Sequence, residues 1–248
     1  MTNQQLFAKI WGQALKPEGY IEKNRCFFQY LPEKQLVKYI FMETLGNGKW
    51  CRISGDIQSF AGLVDPLDIR HQTLNSMDVM IPKLSGEPLD LIAYEFGKDA
   101  EQTLQNCLRT FFKYLFPKIK AVETVEDCYN YHLWSQKIVL NGIKGGMSLL
   151  FESYQTGHYR DTEHYLEILL QDAYSLWKQA QQRPLNTSFG KENLEKAEKY
   201  YAKVLQRYNE VKGEDYLHLQ LALESRIAQS KQNCEHYFNP TNKKHKDS

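Results

Sequence analysis

Cys128 and His132 stand four residues apart in the stretch TVEDCYNYHLW, so on a helix both side chains leave the same face. A thiolate sulfur and an imidazole nitrogen are ligands for a zinc-like ion, and a closed site needs two more donors. His158, His164 and the run Cys234, Glu235, His236 supply them only if helices distant in sequence converge. The plainer reading is a buried cysteine beside a histidine on a helix surface. By this reading the sequence assigns no metal and no cofactor.

Nucleophilic catalysis requires a Cys or Ser beside a base that a third group orients. The chain has no GxSxG elbow, no HExxH helix and no phosphate-binding GxxxxGK[ST] loop, and Gly145-Gly146 lacks the lysine of such a loop. The carboxylate pairs Glu126-Asp127 and Glu214-Asp215 fall at expected helix starts, where they complement the helix dipole. No catalytic residue is assigned on these grounds.

Adhesion is the other chemistry on offer. In the run KWCRISGDIQS one face carries Trp50, Arg52, Asp56 and Gln58: an aromatic ring, a guanidinium, a carboxylate and an amide. If no helix covers that face, these are residue types that anchor interfaces, and they form the candidate interaction set. Sixteen tyrosines offer a second surface. Tyr154, Tyr159, Tyr165, Tyr174, Tyr200, Tyr201, Tyr208 and Tyr216 crowd the C-terminal segments, where they serve either helix packing or a partner.

Positioning these residues takes a sheet and several helices. Between Cys26 and Ser59 three strand-like runs, CFFQYL, QLVKYIFMETL and KWCRISGDIQS, are separated by the turn signals LPEK and GNGK. In the third run Cys51, Ile53 and Ile57 alternate with Arg52, Ser54, Asp56 and Gln58, the period of a half-buried strand. In the second, Val37, Tyr39, Phe41 and Leu45 oppose Leu36, Ile40 and Met42, as in a central strand covered on both faces. A helix over residues 3–15, capped by Asn3, should lie on this sheet. LDLIAYEF at 89–96 offers a fourth strand after a Pro- and Gly-punctuated excursion over 60–88, and residues 99–120 read as an amphipathic helix. From Met147 onward the signals are helical, ending in a polar, frayed tail at 241–248. The expected class is α+β: an antiparallel meander of three to four strands packed by helices over 1–140, followed by an all-helical extension over 141–240.

Over 248 residues, 31 basic residues nearly balance 30 acidic ones, so no overall field draws phosphate backbones or anionic lipid, and no nucleic acid or membrane is expected as partner. Five cysteines without a CxxC pair argue for free thiols in a reducing compartment. The first residues lack the basic segment and apolar run of a signal peptide, and no stretch approaches the roughly 20 apolar residues of a membrane span. A cytoplasmic location is expected, and no oligomeric state is read.

The order LKPEGYIEKNRCFFQY, KYIFMETLGNGKWCRISGDIQSF and KDAEQTLQNCLRTFFKYLFPKIKAVETVEDC resembles the DUF4304 domain, a bacterial family of uncharacterised function. The resemblance covers residues 7–131 and implies a helix leading through a glycine turn into an antiparallel sheet. It implies no catalytic residue. Such domains occur among genes of bacterial interaction and self-protection systems, which implies a protein-binding role. The expectation is therefore a non-enzymatic interaction module, an immunity or regulatory factor with a protein partner. The alternative is an enzyme or small-ligand binder with its site under the 60–88 excursion.

Overall fold

Thr2, not Asn3, caps the first helix: its hydroxyl accepts from the Gln5 backbone while the Gln5 side chain accepts from the Thr2 backbone, a reciprocal box. That helix, α1 (Asn3–Leu15), ends through a 3₁₀ turn at Gly19, whose φ of 83° a side-chain-bearing residue rarely adopts. In this computed structural model residues 1–45, 50–63, 77–86, 94–95, 99–140, 147–182 and 188–239 are described.

The strands are β1 (Ile21–Lys23), β2 (Cys26–Leu31), β3 (Leu36–Leu45), β4 (Trp50–Ser59) and β5 (Tyr94–Glu95). They form one antiparallel sheet in the order β1-β2-β3-β4-β5, the meander expected from sequence with a short strand added at its start. A 3₁₀ turn at Pro32–Lys34 joins β2 to β3, with Gln35 at a φ of 55°. The GNGK turn, the start of the fourth expected strand and the tail at 241–248 lie outside the described residues.

Register fixes which residues share a face. Tyr39 pairs with Asp56, Ile40 with Gly55 and Lys38 with Ile57. One face thus carries Phe27, Leu36, Ile40, Met42, Cys51, Ile53 and Ile57. It is covered by α1, by α2 (Met77–Ser85) through Met80 and Ile81, and by α3 (Ala100–Tyr114), α4 (Phe116–Lys120) and α5 (Val125–Leu140). Phe7, Trp11, Phe27 and Phe111 are fully enclosed here, each side chain worth about 1.5–3 kcal/mol of burial. Gly55 is required by this packing, because a Cβ there would stand 2.9 Å from the Phe111 ring. Lys38, also on this face and only 2% exposed, places its ammonium 3.1 Å from the Lys120 carbonyl.

The C-terminal helices are α6 (Met147–Gln155), α7 (Tyr159–Gln181), α8 (Ser188–Lys212) and α9 (Leu217–Phe238). A second core joins Leu149, Leu150 and Phe151 of α6 to Tyr165 and Leu166 of α7, Val211 of α8 and Leu219 and Leu223 of α9. The last helix then returns to the sheet's other face, against Phe28, Val37, Tyr39 and Phe41. Arg226 Nε donates to the Ala61 carbonyl at 2.9 Å, Ser230 donates to the Leu63 carbonyl, and Phe238 stacks on Tyr30 at 4.9 Å. The segment expected as an extension thus closes the sheet from the second side.

Candidate functional site

Two features stand out: a buried polar cluster at the edge of β4, and the outer half of the α7–α8 hairpin.

The cluster begins with the start of α5. Asp127 accepts from the Thr124 backbone at 3.0 Å while the Thr124 hydroxyl accepts from the Asp127 backbone at 3.1 Å, fixing where the helix begins. Hydrogen bonds from the Glu123 backbone and from Thr124 hold the Asp127 carboxyl below the usual carboxylate range. With the start set, Cys128 and His132 both face the sheet, at 0% and 7% exposure. Glu152 of α6, also 0% exposed, comes to meet them.

These side chains complete a strand edge. Among the described residues β5 pairs with β4 at Trp50 and Cys51, and at Ile57 and Ser59 side chains of α5 reach the strand's backbone. His132 Nε2 donates to the Ile57 carbonyl at 2.9 Å, and the Ser59 backbone N–H donates to Cys128 Sγ. Glu152 Oε2 lies 2.7 Å from His132 Nδ1, while Oε1 accepts from the Ser59 hydroxyl at 2.5 Å and from Cys128 Sγ at 3.6 Å. Buried backbone groups need partners, and polar side chains supply them where a neighbouring strand does not.

Both imidazole nitrogens face acceptors, so His132 is an imidazolium. Burial pushes its pKa down, but the Glu152 carboxylate, then Asp56 and the Ile57 carbonyl, push harder and raise it to about 9. Burial first, then the Glu152 charge, hold the Cys128 thiol well above its ordinary value. A cysteine nucleophile needs a base at its sulfur and access to a substrate. Here Nε2 is held by a backbone carbonyl, the sulfur touches a carboxylate, and the group is enclosed. As arranged, the cluster is an ion pair that finishes a sheet.

The other donors considered from sequence do not join it. His158 pairs with Glu126 at 2.8 Å and stacks on Tyr129, and Cys234 belongs to the core on the opposite sheet face. Sequence reasoning missed Glu152, a lone carboxylate inside the otherwise helical, apolar run MSLLFESYQ.

The expected docking face of β4 is corrected at two positions. Asp56 and Gln58 are 2% and 5% exposed, on the sheet face that α9 covers, and Arg52 is half-buried opposite Glu43. Alternation places Arg52, Asp56 and Gln58 on one face, and that face is covered at Asp56 and Gln58. Trp50 enters β4 between Leu45 and Glu95.

The hairpin is different. α7 and α8 run antiparallel, with Lys212 paired to Glu163 at the base and Trp177 stacked on Tyr201 at 5.2 Å farther out. Toward the tip the apolar residues outgrow what two helices can bury: Tyr174, Leu176 and Tyr200 are 45%, 52% and 39% exposed. A shallow groove between the helices is lined by Leu176, Gln179, Ala180, Asn193, Ala197 and Tyr200.

No family model, curated protein or solved structure matches this chain. Among the described residues no helix is long and apolar enough to cross a membrane, and the described part of the 60–88 excursion sends Met80 and Ile81 into the core. Residues 64–76 of that excursion lie outside the described residues.

Proposed function

We propose that this protein is a non-enzymatic interaction module that docks a protein partner on the outer half of the α7–α8 hairpin. The observation that carries this reading is the exposure of Tyr174, Leu176 and Tyr200 on a segment whose rings pack on one another, as in the Tyr174–Trp177–Tyr201 cluster. Large amphipathic rings with few rotamers are favoured at interface centres, and clustered exposed apolar side chains mark docking sites on soluble proteins. Leu176 and Tyr200 line a groove between the two helices of the kind an amphipathic segment fills.

Near-neutral composition supports a protein partner over nucleic acid or anionic lipid. Five buried cysteines suit a cytoplasmic setting, and the resemblance to a family found among self-protection genes supports an immunity or regulatory role. The test is affinity capture from native extract with the wild-type chain and a Leu176→Glu/Tyr200→Glu variant. The reading expects a stoichiometric protein with the first and its loss with the second at unchanged melting temperature. Equal recovery with both would overturn it.

A further inference from the structure

We propose that Cys128, His132 and Glu152 form a zinc site that locks α5 and α6 onto the edge of β4. Their ligand atoms all lie within 4.8 Å of one another, and they come from two helices in a fully enclosed position. The carboxylate of Glu152 straddles the other two: Oε2 faces His132 Nδ1 at 2.7 Å and Oε1 faces Cys128 Sγ at 3.6 Å. With Glu152 bound through one oxygen, the three side chains supply a nitrogen, a sulfur and an oxygen, three positions of a tetrahedral site, and a water takes the fourth.

The spacing suits the ion. Tetrahedral zinc at ordinary bond lengths sets sulfur and oxygen about 3.6 Å apart and nitrogen and oxygen about 3.4 Å apart. Sulfur and oxygen are already there at 3.6 Å. The sulfur faces Oε1 and the imidazole nitrogen faces Oε2 at 2.7 Å; once the proton between nitrogen and Oε2 leaves, the ligand atoms, all within 4.8 Å of one another, need only small side-chain shifts to close on one ion.

Groups that orient metal ligands are also in place. Metal-bound histidine typically donates its other N–H to a carbonyl or carboxylate, and here Nε2 donates to the Ile57 carbonyl at 2.9 Å. The Ser59 hydroxyl fixes Glu152 at 2.5 Å, and the Ser59 backbone N–H points at the sulfur. A mixed sulfur, imidazole and carboxylate set selects zinc over magnesium or calcium, which take oxygen ligands.

Charge is conserved on uptake. Without metal, the imidazolium, the carboxylate and the thiol sum to zero. Zinc uptake displaces one proton from the Cys128 thiol and one from His132 Nδ1 to solvent. The thiolate, neutral imidazole and carboxylate around the dication again sum to zero, so the ion enters an enclosed site without leaving net charge there.

Because the site is enclosed, the test loads metal during folding. Wild-type protein is refolded from denaturant with Co²⁺ or Zn²⁺ and desalted, and bound metal is measured by elemental analysis and absorption. The proposal expects about one retained equivalent, a thiolate-to-cobalt charge-transfer band with tetrahedral d–d bands, and a higher melting temperature than without metal. Cys128→Ser should lose the charge-transfer band, and His158→Ala, outside the cluster, should keep it. Native-like refolded wild type that retains no metal overturns the proposal, as does a charge-transfer band persisting in Cys128→Ser. If Cys128→Ser does not fold, the wild-type stoichiometry and spectrum decide alone.

Discussion

The imidazolium of His132 and the carboxylate of Glu152 meet through Nδ1 and Oε2 at 2.7 Å, in a position almost wholly withdrawn from water. Removing one member of such a pair strands the other. Glu152→Ala is expected to cost about 3–5 kcal/mol in equilibrium urea unfolding of the metal-free protein. A loss below about 1 kcal/mol would place it among ordinary surface substitutions and contradict the buried pair.

The same pair sets a pH dependence. His132 is raised from 6.5 to about 9 by Glu152, Asp56 and the Ile57 carbonyl against the opposing pull of burial. A raised histidine contributes stability that is complete below 6.5 and disappears as pH climbs through about 9. Metal-free protein should therefore lose on the order of 3 kcal/mol across that window. Glu152→Gln removes the charge that holds the proton, so its stability should be nearly flat over the same range. Parallel slopes in wild type and variant would contradict the assignment.

At Gly55 a methyl group would meet the Phe111 ring of α3 at 2.9 Å and Ile119 of α4 at 3.0 Å. Phe111 is itself fully buried and has nowhere to go. Gly55→Ala is expected to destabilise by about 1–3 kcal/mol through overpacking, measured by urea unfolding. An unchanged midpoint would mean that α3 sits farther from the strand.

Closure of the second sheet face by α9 is tested at Phe238, which lies 4.9 Å from the Tyr30 ring and 5.3 Å from Phe28. Half-buried, it should contribute less than a fully enclosed phenylalanine, so Phe238→Ala is expected to cost roughly 2 kcal/mol. Amide exchange in β2 should quicken with it. No change in β2 exchange would show that the helix end is not part of the core.

These positions also show how far the sequence reaches. The pairing of β3 with β4 was legible because alternation assigns each side chain to a face, and both turns were marked by Pro, Gly and Asn. What covers a face was not legible. Asp56 and Gln58 share a polar period with Arg52, yet a helix from the far end of the chain lies over that side of the sheet. Cys128 and His132 were found together because four residues on one helix is a local relationship. Glu152 was missed because its approach depends on how α6 packs, and a single carboxylate in an apolar helix resembles one that faces solvent. Lys38, a charge within the apolar second strand, is buried where the Lys120 carbonyl and Glu123 reach it from α4 and beyond, again a long-range contact.

The central claim, docking at the hairpin tip, is tested most directly by photo-crosslinking in native cells, with a photoreactive phenylalanine analogue replacing Tyr200 or, as a control, exposed Glu101 on α3. The account predicts one discrete crosslinked protein from position 200 and none from position 101. A discrete product from position 101 with none from position 200 would contradict it.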